Sequence, residues 1–334
     1  MLNGKLNWRP SLIERDPHLS CDVSRNNLDV KLKVTFDSTG FQQFYVLLSR
    51  MLLQRIRNKT ALFLQVLYNV GVSFAVGSIY YQKGNDAESS FTNFRFLLIA
   101  NVCFLYSNMI IPTLCFPHEL KLIQREYLNR WYGLKAYFMA YLIANIPGQI
   151  IFGSIFATII YVMSGQPLEL HRLLLFTIFA MTSGFVSEGH GMVVGTIFNE
   201  VNGAIVGPAT IAPLLAMSVI GMGYGTSVKP FMKLLRSLSF MRYSLVGMSL
   251  SIFGMNRQDM DCAATYCYHQ DPKILLRDLG MAGDSIYVQF LVMAGFYTFY
   301  RVAAFLALRY RLSLEFSARL HALVHRILRR KSNY

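Results

Sequence analysis

Six apolar stretches, at 61–82, 94–116, 136–164, 171–198, 203–224 and 285–308, limit what this 334-residue chain can fold into more than any other feature. Crossing the hydrocarbon layer takes roughly 20 apolar residues in a helix, because no backbone amide finds water there. Each stretch meets that length, so the expected fold is all-α and integral to a membrane, with six crossings. Charged residues make up only 15% of the chain, against about 25% in an ordinary soluble domain. The net charge of +14 does not indicate a nucleic-acid partner, because the basic residues lie beside the apolar runs rather than on one soluble face. Five cysteines at irregular spacing exclude a disulfide scaffold and a zinc cluster. Residues 1–40 are polar and mixed in charge, without the apolar core of a secretory signal.

An even number of crossings puts both ends on one side, and the flanking charge chooses it. Arg50, Arg55, Arg57 and Lys59 precede the first span, Lys121, Arg125, Arg130 and Lys135 follow the second, and Arg309 and Arg311 follow the sixth. The opposite short loops carry little beyond Lys83 and Arg172. The excess of Lys and Arg assigns the termini to the cytoplasm. Segments 41–57 and 316–331 set apolar residues on one helical face against arginines on the other, the pattern of helices lying in the membrane surface.

Two ionisable groups fall inside the spans. Glu188 lies about 17 residues into the fourth span and Arg301 about 16 into the sixth, similar depths at roughly 1.5 Å per residue. An unpaired charge there costs at least about 2.5 kcal/mol. We expect the two to pair directly or through water, with His190 nearby. The competing reading has Arg301 reaching toward the interface while Glu188 is protonated or lines a polar crevice.

From residue 41 to about 312 a series of motifs occurs in order: Arg125-Glu126-Tyr127-Leu128-Asn129-Arg130-Trp131-Tyr132-Gly133-Leu134-Lys135 after the second span, Ser164-Gly165-Gln166-Pro167 at an outer turn, Val206-Gly207-Pro208 in the fifth span, Met241-Arg242-Tyr243 and Ile252-Phe253-Gly254-Met255 beyond it, and Leu308-Arg309-Tyr310-Arg311 at the end of the sixth. On these the chain resembles the membrane domain of White-type, G-subfamily ATP-binding-cassette half-transporters, nearest the branch linked to sterol and phospholipid efflux. The resemblance implies an ABC-2 type exporter membrane domain. That fold has an amphipathic connecting helix in 41–57, a cytoplasmic coupling helix in 117–135 and a structured outer loop before the sixth span. The chain then divides into a linker remnant (1–40), the membrane domain (41–312) and a basic amphipathic tail (313–334).

The resemblance also assigns roles. Asn101 and Phe104 in the second span, with Leu214 and Met217 in the fifth, correspond to the lining of a substrate cavity between two protomers. The bland alternative is that Asn101 bonds a neighbouring helix and Phe104 is packing. Met222, Gly223 and Tyr224 correspond to an outer plug; with a glycine in it, either the plug is looser or Tyr224 fills the gap, unless Gly221, Gly223 and Gly225 simply permit close packing. Glu119, Lys121, Arg125, Glu126 and Lys135 alternate in sign and correspond to the coupling helix that docks on the ATPase. Cys262 and Cys267 correspond to outer-loop cysteines, from which an intrachain disulfide is expected. Leu128, Tyr132 and Lys135 fit a proposed sterol-contact pattern that recurs by chance.

Members of this family carry ATP and Mg on a nucleotide-binding domain whose phosphate loop needs Gly-x-x-x-x-Gly-Lys-[Ser/Thr]. Here Gly71 and Gly77 are followed by Ser78 where the Lys belongs. The reading is therefore of a shortened form, a fragment, or a chain served by an ATPase on another polypeptide. The implied function is the membrane half of an ATP-driven exporter, dimeric, moving lipid, sterol or another amphipathic substrate by alternating access in the plasma membrane. A membrane subunit that modulates full-length half-transporters, and a pigment-precursor or drug carrier, are the alternatives.

Overall fold

The computed structural model describes residues 39–129, 131–220, 230–262 and 265–331. Ten helices carry them: α1 (Gly40–Arg57), α2 (Lys59–Ile79), α3 (Ser90–Leu128), α4 (Leu134–Met163), α5 (Leu170–Ile197), α6 (Glu200–Val219), α7 (Pro230–Ser237), α8 (Phe240–Phe253), α9 (Pro272–Asp278) and α10 (Ile286–Lys331). Six of these, α2 to α6 and α10, are long and apolar enough to cross a membrane. Among the described residues no strand forms; a single bridge joins Asp86 to Asp261.

Asn58 makes the elbow between the first two helices. It ends α1, and its side-chain oxygen accepts from the Ala61 amide at 3.2 Å, capping α2. The amphipathic α1 thus leads straight into the first crossing.

The second span runs further than the apolar stretch suggests. α3 has 39 residues, about 58 Å at roughly 1.5 Å per residue, nearly twice the hydrocarbon thickness. Residues 117–128 continue α3 instead of forming a separate short coupling helix, and Lys135 belongs to the first turn of α4. Pro112 and Pro117 lie inside α3, where a proline withholds an amide from the carbonyl four residues back. α5 packs against this stretch through glycines. A Cβ on Gly195 would meet the Pro112 carbonyl oxygen at 2.8 Å, and one on Gly191 would strike the Met109 carbonyl oxygen. Thr113 Oγ1 donates to Met109 O at 2.8 Å, and Ser187 Oγ donates across to Leu105 O at 2.7 Å. Small residues and hydroxyls of this kind let membrane helices approach closely.

α6 stops at Val219, so the outer end of the stretch expected to reach residue 224 lies outside the described residues. The segment before the sixth span does more than cover the surface. α8 is 14 residues long, about 21 Å and too short to cross, yet nearly all of it is buried among α3, α5, α6 and α10. Arg172, itself 1% exposed, closes its C-terminus by donating to the carbonyls of Ile252 (3.2 Å), Gly254 (2.7 Å) and Met255 (3.2 Å) while Glu169 Oε2 holds its Nε at 2.7 Å. α10 runs unbroken through Lys331, so 316–331 prolongs the sixth span instead of forming a separate surface helix.

Candidate functional site

A polar thread enters the bundle from the end where α1 lies. Arg301 Nη2 on α10 donates to Glu188 Oε2 on α5 at 2.6 Å, and its guanidinium lies 5.0 Å from the Tyr297 ring centre. The other oxygen of Glu188 accepts from the Asn145 amide on α4, and Asn145 Oδ1 in turn accepts from Arg55 on α1. Asn145, Glu188 and Arg301 are each buried. Four elements therefore meet at one carboxylate: α10 and α5 directly, α4 through an amide, α1 through its last-turn arginine. His190 does not join them; its Nε2 lies 2.9 Å from Thr210 Oγ1 on α6, and its ring meets Tyr300 edge-on.

A second cluster binds α1 to α3 at the same end, beyond the apolar part of the spans. Arg50 grips Glu126 with both terminal nitrogens, at 2.9 and 3.1 Å, and Tyr132 OH donates to Glu126 Oε2 at 2.5 Å. Burial, followed by the bond to Glu126, holds the Tyr132 hydroxyl well above the ordinary tyrosine range. The Gly133 amide donates to Gln43 Oε1 on α1 at 2.9 Å. Tyr132, Tyr137 and Tyr141 stack in series, at centroid distances of 5.6 and 6.4 Å, and Tyr137 OH reaches Glu119 Oε2 at 3.5 Å. Of the residues expected to couple, Glu119 and Glu126 thus turn toward their own protomer, while Lys121, Arg125 and Lys135 stay exposed. Tyr132 is buried against Glu126, which leaves it little surface for a sterol.

The four residues expected to line a cavity are covered to different degrees. Asn101 is 2% exposed and its Oδ1 accepts from Ser244 Oγ of α8 at 3.0 Å. Phe104, also 2% exposed, meets the Phe156 ring at a tilt with centroids 5.1 Å apart. Both side chains are covered within the described bundle, in agreement with the packing alternative. Leu214 and Met217 are half-buried on α6, Leu214 packing in a cluster with Leu105, Met109 and Phe240. Along α3, Ile99 and Leu114 are exposed and Cys103, Tyr106 and Ile110 half-buried, Cys103 packing against the cluster that holds Phe104 and Tyr106 against that of Leu105 and Met109; α6 exposes Val201, Ile205, Ala209, Ala212 and Ala216. α3 and α6 pack on each other, and both carry exposed apolar residues outside that contact. Met222, Gly223 and Tyr224 lie outside the described residues.

On the other face, Cys262 and Cys267 are joined by a disulfide. The Asp261 amide donates to Asn85 O and the Ala87 amide to Asp261 O, both at 2.9 Å. Arg257 Nη2 donates to Gly84 O at 2.8 Å. Burial, then the neighbouring Arg172, pushes the Arg257 pKa down to about 10. These bonds fasten the loop before α10 to the turn between α2 and α3. Gly71 and Gly77 lie within α2, where the backbone amides serve the helix, so they do not form a phosphate cradle, and no step through ATP is assigned to them.

This arrangement, crossings tied together by a buried carboxylate near two helices with exposed apolar residues, can be set beside known proteins. Residues 42–253 match the ABC-2 type transporter family. The chain belongs to that family. It is 26% identical over 285 residues to "Protein white" of Drosophila melanogaster, covering 83% of this chain and 41% of that one. To "ABC transporter ATP-binding protein/permease wht-1" of Caenorhabditis elegans it is 25% identical over 222 residues, 65% of this chain and 32% of the relative. To "ABC transporter G family member 14" of Arabidopsis thaliana it is 24% identical over 277 residues, 81% and 41% of the two chains. The chain thus spans less than half the length of each of these relatives, and resembles the White and G groups at low identity.

Asn145 and Arg55 escaped the sequence reading as site residues. The signal for Asn145 was an amide inside an apolar run, the same one that singled out Asn101, but the run gives no rotational phase by which to rank the two.

Proposed function

We propose that this chain is the membrane half of an ATP-driven exporter that works as a dimer on a lipid, sterol or other amphipathic substrate, with both termini cytoplasmic and the plasma membrane as its site. ATP and Mg would be handled by a nucleotide-binding domain; the part played by the described residues is to form the path and to carry motion into it. The observation that supports this best is the position of the Arg55–Asn145–Glu188–Arg301 thread. It ties the connecting helix α1, which a nucleotide domain would move, to α5, and α5 packs directly behind the apolar faces of α3 and α6. A shift of α1 relative to α4 changes the partners of a carboxylate that the bilayer does not let stand alone. The apolar faces, with no carboxylate or basic side chain among the ten residues that form them, suit a substrate held by area rather than by charge. Membrane vesicles containing the full chain together with an ATPase-competent half-transporter test the reading. ATP-dependent movement of a fluorescent sterol or phospholipid is expected to require this chain and to fall severalfold with Ile205→Arg. Transport indifferent to both would overturn it.

A further inference from the structure

A recess of about 460 Å³ opens where α3 outruns the apolar part of its span, beside the turn from α5 to α6 and the end of the sixth span. Leu120, Lys121 and Gln124 of α3, Glu200 and Val201 of α6, and Arg311 of α10 line it. Three features make its chemistry specific. Its cations outnumber its carboxylate, and that carboxylate is engaged: Glu200 Oε1 lies 3.0 Å from His118 Nε2. Arg311 is fixed in place, with Nη1 donating to the Thr196 carbonyl at the end of α5. Gln124 is buried, so the floor is polar without being wet on all sides. The apolar exposed residues Ile197, Val201 and Ile205 begin at the rim and run into the membrane.

A polar, cationic recess at the water boundary, continuous with a greasy strip at membrane depth, matches an amphiphile with an anionic head and acyl tails. We infer that it holds the net-anionic, phosphate-bearing headgroup of an inner-leaflet phospholipid, as a bound lipid at the cytoplasmic edge of the α3–α6 face. Basic pockets between transmembrane helices on the cytoplasmic side take such headgroups. The inference borrows from the proposed function only its orientation, which turns this end toward the anionic leaflet. Lys121 contacts the phosphate from above, and Arg311, held by Thr196, lines the side of the recess.

The test uses the full chain in phosphatidylcholine nanodiscs doped with a phosphatidylinositol bisphosphate that carries a photoreactive headgroup, followed by mass mapping of the adducts. Both leaflets are present and no ATPase is needed, so failure of transport or of orientation leaves this result unaffected. Adducts are expected on 117–124 and 199–201. Lys121→Ala should lower their yield about fivefold, as loss of one cation at a membrane surface does, and Lys121→Glu more. Lys59→Ala, equally basic and on the same membrane face but on α2, should leave the yield unchanged. Soluble inositol trisphosphate should compete poorly, because it lacks the tails; if it or inorganic phosphate competes as well as the lipid, the site is for a free anion and the lipid assignment fails. Equal labelling by a photoreactive phosphatidylcholine, or equal losses from Lys121→Ala and Lys59→Ala, would also overturn it.

Discussion

A carboxylate inside a bilayer is costly unless something holds it, and Glu188 is held on both oxygens, by Arg301 and by Asn145. Removing one partner of a buried pair costs about 3–5 kcal/mol, because the survivor is left uncompensated, whereas replacing both with neutral groups costs far less. Arg301→Met should therefore lower the thermal midpoint of the purified protein substantially, and Glu188→Gln added to it should restore most of the loss. If the double variant melts lower than the single, the pair is not what holds these helices. Tyr132 gives a second residue-scale test, in pH. Its hydroxyl keeps its proton above the ordinary value of 10.0 in the folded chain, while the unfolded chain releases it near 10. A group whose folded pKa is raised stabilises below the unfolded pKa and ceases to as pH climbs through the folded one. Stability of the wild type should thus fall above pH 10, and Tyr132→Phe should flatten that alkaline fall while costing about 1 kcal/mol at neutral pH. A melting midpoint with the same alkaline slope in both proteins would refute the assignment. Glu188 and Arg301 were legible in the sequence because a formal charge in an apolar run has few explanations. Asn145 was not, because an amide there has many.

At the scale of helices, the glycines of α5 let it approach the backbone of α3, whereas a Cβ on Gly77 of α2 would meet only the Met163 side chain. A Cβ at Gly191 would strike the Met109 backbone oxygen, which cannot swing aside as a side chain can, whereas Gly71 of α2 has nothing within 4 Å. Gly191→Ala should destabilise by about 1–3 kcal/mol through forced separation of the two helices. Gly71→Ala should be neutral or slightly stabilising, since alanine is the better helix former. Midpoints from thermal unfolding in one detergent compare the two directly; equal shifts would mean the α3–α5 approach is not tight. The same pair shows where sequence reading stops. Hydropathy reports that 94–116 is a span, but each residue turns the helix by about 100°, so buried Phe104 and half-buried Cys103 are neighbours in sequence and differently covered. Charge likewise located the basic end of α3, yet the helix passes through Pro117 while α5 and its glycines pack against the backbone the prolines disturb.

For the whole molecule, the six crossings and their charged margins were written in the sequence, but the surface left open was not, since it exists only after the bundle decides which sides of α3 and α6 remain uncovered. Those sides are apolar almost throughout and carry no charge for a neighbour to pair with in hydrocarbon, so lipid chains and a second copy compete for them on packing. The small residues Ala209, Ala212 and Ala216, which share one side of α6, favour the copy, because a helix backbone approaches alanine more closely than a lipid tail fills the gap. Ala212→Cys should therefore form a disulfide between two full-length chains on mild oxidation in native membranes, with Cys21, Cys103 and Cys115 replaced by serine so that the introduced thiol reacts by itself. Phe63→Cys on α2, which is 65% exposed on another side of the bundle, provides the comparison for chance encounters. A severalfold excess of crosslinked product at position 212 over position 63 is the expected result. Equal yields would mean that lipid, not a second copy, covers the α3–α6 face.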